Sequence, residues 1–286
     1  MRILNSATIE ENKKQNKRDK IRNYFLNLDK DGQEKDVVEI IDFVKEHGLS
    51  FFPYDFSRKY ISMDVDVCHD EQCNMGYVLT DNNKRLYFYE GNGPGRVKTY
   101  YSKLCMEQDE GSPHRYETPE FSVKDGDVIV DVGAAEGIWA LKNVEKASKI
   151  YLFECDERWI KALEKTFAPW KEKVVIVKKY VSDIVDEKYT TLDEIFNGQT
   201  VDFIKADIES YEPKMLEGAK ETLKNNENIK LSLCTYHKKD DAAILKEFLE
   251  TRGFITEFSK RYMLFVLDDD LEEPYIRRGL IRARKG

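Results

Sequence analysis

The sequence lacks a long apolar run, a CxxC pair and the density of cysteines that marks a disulfide framework. Its longest clear apolar run, Tyr262 to Leu267, is far shorter than the roughly 20 residues that a membrane helix needs, so no transmembrane segment is predicted. The five cysteines are an odd number and widely scattered, which argues against both disulfides and a structural zinc site. The first residues contain no apolar stretch of signal-peptide length, so we expect a reduced, cytoplasmic protein.

Positive charge is in the minority. The 46 lysines and arginines are outnumbered by 54 aspartates and glutamates, which gives a formal net charge of −8. Such a chain has no general attraction to phosphate backbones, and no nucleic-acid partner is predicted. The last ten residues nevertheless carry five positive charges, at Arg277, Arg278, Arg282, Arg284 and Lys285. These could steer an anionic acceptor, although a solvated tail is the simpler interpretation.

The first hundred residues predict a small accessory region. Hydrophobic residues recur at helical spacing at Ile21, Phe25 and Leu28, and again at Val37 and Ile41, which indicates two amphipathic helices. Short strands are predicted at 60–67, 76–79 and 85–89. We therefore expect a helical and β-rich accessory region over residues 1–104 and a main domain over residues 105–286.

Strands and helices alternate from Phe121 onward, which predicts a doubly wound, Rossmann-like α/β sheet. Parallel strands are expected at 127–132, 149–153, 174–177, 201–206 and 229–234. The last two apolar runs, 254–258 and 262–267, have too little chain between them for a crossover helix. We therefore expect them to form an antiparallel hairpin that completes a seven-stranded sheet.

A glycine-containing turn follows the first of these strands. Asp131, Gly133 and Gly137 give the spacing D-x-G-x-x-x-G, in which glycine lets the backbone approach a ligand closely. The spacing differs from the G-x-G-x-x-G of dinucleotide binding. Glu154 ends the next strand, 23 residues after Asp131, where doubly wound folds bind the hydroxyls of a ribose. Turn and acid together favour a nucleoside ligand.

Four ordered motifs then resemble the FkbM family of S-adenosylmethionine-dependent methyltransferases. They are DVGAAEG, FECD, TTLDEIF and VDFIKADIESYEPKMLEGA. The resemblance covers roughly residues 105–286. Ser210 departs from it, because the family commonly has glycine at that position. The resemblance implies a class I methyltransferase sheet and transfer of a methyl group to a hydroxyl of a sugar-like or polyketide-like acceptor, a small molecule or glycan.

The resemblance also assigns residues to the cofactor. Asp131, Gly133 and Gly137 would surround the methionine end, Glu154 would bind the ribose, and Ser182 with Asp183 would lie near the adenine. The full set of predicted cofactor-binding residues is Asp131, Gly133, Ala134, Glu136, Gly137, Glu154, Cys155, Ser182, Asp183 and Asp207.

His237 is the predicted general base, because it follows the fifth strand and imidazole suits proton removal near neutral pH. Asp207 and Glu209 follow the neighbouring strand and could orient that ring or bind acceptor hydroxyls. These three side chains could instead bind a divalent metal such as Mg²⁺, but their spacing is not a dedicated metal motif, and no metal is predicted. Weaker candidates for the acceptor pocket are Ser112, His114, Tyr116 and Tyr236.

Three other functions remain open at this point. An NAD-dependent oxidoreductase shares the strand–turn–helix–acid layout, although the glycine spacing counts against it. A scaffold that binds S-adenosylmethionine without turnover, and a nucleic-acid methyltransferase with a local basic groove, are the others. The sequence leaves the acceptor and the oligomeric state open.

Overall fold

The computed structural model describes residues 2–266 and 271–286. Its α-helices are α1 (Arg2–Asn27), α2 (Lys35–His47), α3 (Pro94–Glu107), α4 (Ile138–Asn143), α5 (Glu157–Thr166), α6 (Leu192–Phe196), α7 (Glu212–Glu217), α8 (Lys220–Asn225) and α9 (Asp241–Glu250). Short 3-10 helices cover Asp55–Tyr60 and Ala168–Trp170. Among the helices described, none combines the length and the apolar content that crossing a bilayer requires.

The strands fall into one large sheet and three small ones. In chain order they are β1 (Val67–Asp70), β2 (Met75–Leu79), β3 (Arg85–Phe88), β4 (Val128–Val132), β5 (Lys149–Phe153), β6 (Val174–Val177), β7 (Tyr180–Val181), β8 (Tyr189–Thr190), β9 (Phe203–Ala206), β10 (Lys230–Cys234), β11 (Phe254–Phe258), β12 (Met263–Leu264), β13 (Ile276–Arg277) and β14 (Leu280–Lys285). The large sheet has seven strands in the order β11-β14-β10-β9-β4-β5-β6.

This sheet is doubly wound, as predicted. Strands β10, β9, β4, β5 and β6 pair in parallel, and β14 is antiparallel to both of its neighbours. Successive side chains of β4 enter different cores: Ile129 packs with Trp139 and Leu163, whereas Val130 packs with Leu216 and Leu245. Apolar residues on both faces of a strand are typical of a parallel sheet covered by helices on both sides.

The predicted terminal hairpin is wrong. Strand β11 pairs with β14 rather than with the run after it, and Met263–Leu264 pairs with β13 outside the large sheet. Leu267, the end of the predicted run, lies outside the described residues. The segment predicted as a solvated tail is instead β14, an interior strand of the sheet. Its Leu280, Ile281 and Ala283 are buried, but the arginines at alternate positions made the segment look like a charged tail.

The N-terminal elements pack onto the same body. Helices α1 and α2 are confirmed, and Phe25 and Ile41 form a third core with Leu264 and Tyr275. Strands β2 and β3 are confirmed within one residue, but the strand predicted at 60–67 is wrong, since Asp55–Tyr60 is a 3-10 helix and β1 begins at Val67. Helix α3 runs across the predicted boundary at residue 104, and the division into two regions stays a prediction.

Candidate functional site

The glycine turn between β4 and α4 is packed against the end of β9. Gly133 has φ +75, and a Cβ there would lie 2.1 Å from the backbone oxygen of Asp207. Gly137 has φ +78, and its Cβ would meet Leu163 and Phe167 at 2.7 and 2.9 Å. Both glycines are therefore required by protein neighbours and by backbone conformation, and the turn that they form lines the cavities described below.

Asp131 lies beneath this turn in a buried ion pair with Lys205. The Lys205 Nζ is 2.9 Å from Asp131 Oδ1 and donates to the Gly133 oxygen at 2.8 Å. Burial raises the pKa of Asp131 above its usual range, and Lys205 opposes that shift. Lys205 was not predicted as a site residue. Its position within the apolar strand VDFIKAD could have indicated one, because a lysine buried in a strand needs a charged partner nearby.

Glu154 is fixed at the carboxyl end of β5 by backbone groups. Its carboxylate accepts hydrogen bonds from the nitrogens of Ala135 (2.8 Å), Cys155 (2.7 Å) and Asp156 (2.8 Å). Glu154 and Cys155 line a cavity of about 520 Å³ together with Gly133 and Asp207. A carboxylate held in this way at the mouth of a cavity fits the two hydroxyls of a ribose.

The far wall of this cavity differs from the predicted one. Ser182 is buried and donates to the Asp183 carboxylate at 2.9 Å, and neither residue is part of the cavity wall. Tyr180 of β7 and Tyr189 of β8 are, with ring centroids 5.5 Å apart. Two tyrosine rings provide a surface on which a planar base can stack. Residues of β7 and β8 therefore form the part of the wall that the sequence analysis assigned to Ser182 and Asp183.

Asp207, directly after β9, is the centre of a cluster drawn from three segments. Its carboxylate lies 3.0 Å from His237 Nε2 and accepts from the hydroxyls of Tyr236 (3.1 Å) and Tyr116 (3.2 Å). His114 Nε2 is 3.5 Å away. The structure therefore brings together His237, Asp207 and three of the four weaker candidates.

Within this cluster, neighbouring groups shift the pKa values of Asp207 and His237 in opposite directions. Desolvation acts to raise the pKa of Asp207, but hydrogen bonds from His114 and His237 hold it well below its usual range. Burial acts to lower the pKa of His237, but Asp207 and Glu212 outweigh it and raise the pKa to about 10. In the ligand-free protein at neutral pH the ring is therefore a cation beside a carboxylate.

Two acids of the turn after β9, Glu209 and Glu212, approach the His237 ring. Glu209 is 92% exposed, with its Oε2 3.5 Å from His237 Nδ1. Glu212 is fully buried, with its Oε1 3.4 Å from His237 Nε2, and it accepts from the Ile208 nitrogen at 2.9 Å. The family motif contains both acids, and its spacing alone does not reveal which one faces inward.

The turn between Asp207 and Glu212 is strained at Ser210. Its φ is +73, and that of Glu209 is +53, a region that residues with a Cβ rarely adopt. We expect Ser210→Gly to raise the free energy of unfolding by about 1 kcal/mol, because glycine removes the strain. Urea denaturation measures this change. Ser210→Ala is the control, and equal stabilisation by both variants would contradict the strain.

Within the described residues, two groups of three side chains have ligand atoms within 4.8 Å of one another: His114, Asp207 and Cys234; and Asp207, Glu212 and His237. The second group contains Glu212 where the sequence analysis had Glu209. Asp207 lies 3.5 Å from His114 Nε2 and 3.0 Å from His237 Nε2, and Glu212 lies 3.4 Å from His237 Nε2, so ion pairs and hydrogen bonds account for these short distances. That the site works without a metal stays a prediction.

A second cavity, of about 420 Å³, lies on the other side of the glycine turn. Its wall contains the predicted residues Asp131, Ala134, Glu136, Tyr116 and Tyr236. Burial raises the pKa of Glu136 to about 8 and acts in the same direction on Glu107, an acid that was not predicted. Ser112 is elsewhere: its hydroxyl accepts from the His114 nitrogen at 3.1 Å. The two cavities share Gly133, Asp207 and Glu209.

Part of the sequence is similar to a known protein family. Residues 168–262 match the family described as "Methyltransferase FkbM domain". No curated protein matches the sequence.

Among solved structures, the methyltransferase FkbM from Methylobacillus flagellatus KT is 18% identical, with a TM-score of 0.45, over 67% of this chain and 55% of its own. The chain thus spans little more than half the length of that relative. Precorrin-6y C5,15-methyltransferase from Geobacter metallireducens GS-15 is 16% identical, with a TM-score of 0.40, over 57% of this chain and 81% of its own. The predicted resemblance to the FkbM family is thus confirmed over residues 168–262, and the predicted seven-stranded, doubly wound sheet is confirmed.

Proposed function

We propose that this chain, which contains an FkbM methyltransferase segment at residues 168–262, is an S-adenosylmethionine-dependent O-methyltransferase that acts on a hydroxyl of a sugar-like small molecule or glycan. One observation carries the proposal. Two cavities, one bounded by Glu154 and the other by Tyr116 and Glu136, meet at Asp207, beside His237.

The carboxylates and aromatic rings of the two cavities suit the groups of this cofactor. The 520 Å³ cavity provides the Glu154 carboxylate for ribose hydroxyls and the rings of Tyr180 and Tyr189 for an adenine. The 420 Å³ cavity provides the half-buried Glu107 and the buried Glu136. The positive charge of an ammonium group bound there would favour their ionised forms, which accept its hydrogen bonds. When bound, the cofactor supplies an activated methyl group. The protein then has to align an acceptor hydroxyl with that methyl and remove its proton.

We assign proton removal to His237, with Asp207 as the residue that orients the ring. His237 is held within 3.0 Å of Asp207, and its raised pKa of about 10 means that it must lose a proton before it can accept one. A positively charged ligand beside Asp207 favours that loss, because like charges destabilise the imidazolium. Tyr116 and Tyr236 are placed to bind acceptor hydroxyls beside the same carboxylate.

The other functions have weaker support. An NAD-dependent oxidoreductase needs space for a pyrophosphate at the glycine turn, where Gly133 is instead packed against the Asp207 backbone. A scaffold that binds the cofactor without turnover does not need the Asp207 cluster. A metal-dependent variant would use Asp207, Glu212 and His237, and chelator treatment of the active enzyme tests it.

Replacement of Glu154 by alanine is expected to weaken binding of S-adenosylhomocysteine about 10- to 100-fold, the loss of one or two hydrogen bonds to a charged group. Isothermal titration calorimetry measures the dissociation constant. Glu157→Ala, an exposed acid at the start of α5, is the matched control. An unchanged constant for the Glu154 variant would remove it from the ribose site.

Turnover with candidate acceptors tests the chemistry. The purified protein is incubated with methyl-labelled S-adenosylmethionine and a panel of sugars, glycosides and glycolipids, and products are analysed by mass spectrometry. We expect a methyl ether on one hydroxyl of an acceptor. Labelling of a nitrogen, or of RNA in place of any hydroxyl compound, would contradict the proposal.

A further inference from the structure

A separate cavity of about 750 Å³ lies behind the segment that carries His114 and Tyr116. Ser112 and Arg115 of that segment line it, whereas Tyr116 lines the 420 Å³ cavity, and these two cavities have no lining residue in common. Its volume lies within the range of roughly 300–1,000 Å³ that is typical of small-molecule sites. Nothing in the proposed methyl transfer uses it.

The floor of this cavity is a pair of arginines. Arg282 of β14 is only 8% exposed. Its guanidinium donates to the backbone oxygens of Arg115 and Tyr116, and within the described residues no carboxylate lies within 4.0 Å of it. Two carbonyls satisfy hydrogen bonds but do not neutralise a buried charge.

Arg115 adds a second, incompletely satisfied cation. Its Nε is buried and has no hydrogen-bond partner among the residues that the structure describes. Its Nη1 is 3.7 Å from Glu110, whose side chain is 91% exposed. Burial lowers the pKa of Arg282, Glu257 opposes that shift, and the proximity of Arg115 adds to it, so the two arginines repel each other.

The other charged residues of the cavity wall do not neutralise the positive charges of Arg115 and Arg282. Glu39 is paired with Arg261 at 3.0 Å, and Asp36 accepts from the Arg261 backbone nitrogen at 2.8 Å. Glu257 lies opposite Arg282 in the β11–β14 register but is itself exposed. Arg284 and Lys260 are exposed at the rim, and neither forms a salt bridge within the described part of the chain.

We propose that this cavity binds a small oxyanion, of the phosphate or phosphate-monoester class, between Arg115 and Arg282, with Arg284 and Lys260 at its rim. The planar guanidinium presents donors in the geometry that phosphate oxygens accept. A bound anion would neutralise the buried pair from the side opposite Asp207. It would thereby fix the segment from Ser112 to Tyr116, whose other side chains reach the Asp207 cluster.

The test is calorimetric titration of the whole protein with inorganic phosphate at low ionic strength, in the presence of saturating S-adenosylhomocysteine. We expect saturable binding at one site in about the millimolar range. Arg115→Gln should weaken it about tenfold, the typical loss of one charge-assisted hydrogen bond. Arg252→Gln, at the end of α9 and outside this cavity, is the control.

Arg282→Gln should weaken binding further, but this variant also removes two bonds to backbone oxygens and risks misfolding. Arg284→Gln and Lys260→Gln change exposed side chains only and keep the test independent of folding. Glucose 6-phosphate that binds more tightly than phosphate identifies a monoester as the ligand, and equal binding identifies the free ion. Absence of saturable binding, or equal binding by the wild type and the Arg115 and rim variants, would overturn the site. Because the readout is phosphate binding, it is independent of methyl transfer.

Discussion

Replacing His237 with alanine is expected to lower kcat by about 10²- to 10⁴-fold, the usual effect of removing a general base, while the dissociation constant for S-adenosylhomocysteine changes little. The ring lies 3.0 Å from Asp207, which lines both cavities, and is itself part of the wall of neither. The residues assigned to the ribose and the adenine, Glu154 and the two tyrosines, belong to the 520 Å³ cavity. Loss of the ring should therefore affect the chemical step more than cofactor binding.

His237→Gln is the matched variant, because an amide can still donate to Asp207 but cannot take up a proton. Both variants should show the same loss of kcat, whereas a purely structural histidine would be rescued by glutamine. In the wild type, kcat should rise with pH, since the pKa of the ring is raised to about 10 in the ligand-free protein and the base must be neutral. A rate that falls as the pH is raised from about 6 to 9 would exclude His237 as the base.

Replacing Gly133 with alanine is expected to destabilise the fold by about 2–4 kcal/mol and to abolish cofactor binding. A Cβ at this position would lie 2.1 Å from the Asp207 oxygen, so the end of β9 would have to move. The φ of +75 adds backbone strain of about 1–2 kcal/mol. Movement of Asp207 would separate it from His237 and from the turn that lines both cavities.

Gly126→Ala separates the effect of the steric clash with Asp207 from that of the backbone strain. Gly126 has φ +91, and no heavy atom of the described residues, apart from its own and those of its two chain neighbours, lies within 4 Å of the position that a Cβ would take there. Its substitution therefore adds backbone strain without a steric clash. Thermal or urea unfolding should therefore give a clearly smaller loss of free energy for Gly126→Ala than for Gly133→Ala. Equal losses would show that the approach of Asp207 to the turn is not what requires glycine.

The sequence predicted the parallel part of the sheet well because each of those strands is a short apolar run bounded by turn residues. The sequence pattern did not reveal β14, where Arg282 and Arg284 alternate with apolar residues. That alternation is typical of a strand, but it was obscured by the number of charges near the end of the chain. Because β14 was not predicted, the apolar run at 262–267 was the nearest segment that could pair antiparallel with β11. The structure pairs β11 with β14 instead.

The sequence predicted those candidate site residues that follow a strand. Asp207, Glu154 and His237 lie at carboxyl ends of strands in one sheet, where open α/β sheets bind ligands. Lys205 and Glu212 were missed because their roles depend on which side of a strand or turn they face. Ser182 and Asp183 are not part of the cavity wall, whereas Tyr180 and Tyr189 are, because the pairing of β7 with β8 depends on tertiary structure and leaves no local pattern in the sequence.

The central claim is that the two joined cavities bind S-adenosylmethionine. The most direct measurement is calorimetric titration of the purified protein with S-adenosylmethionine and with S-adenosylhomocysteine, with NAD as the control. We predict micromolar binding of both sulfur compounds at one site and no binding of NAD. Binding of NAD in their place, or no heat with any of the three, would contradict the account.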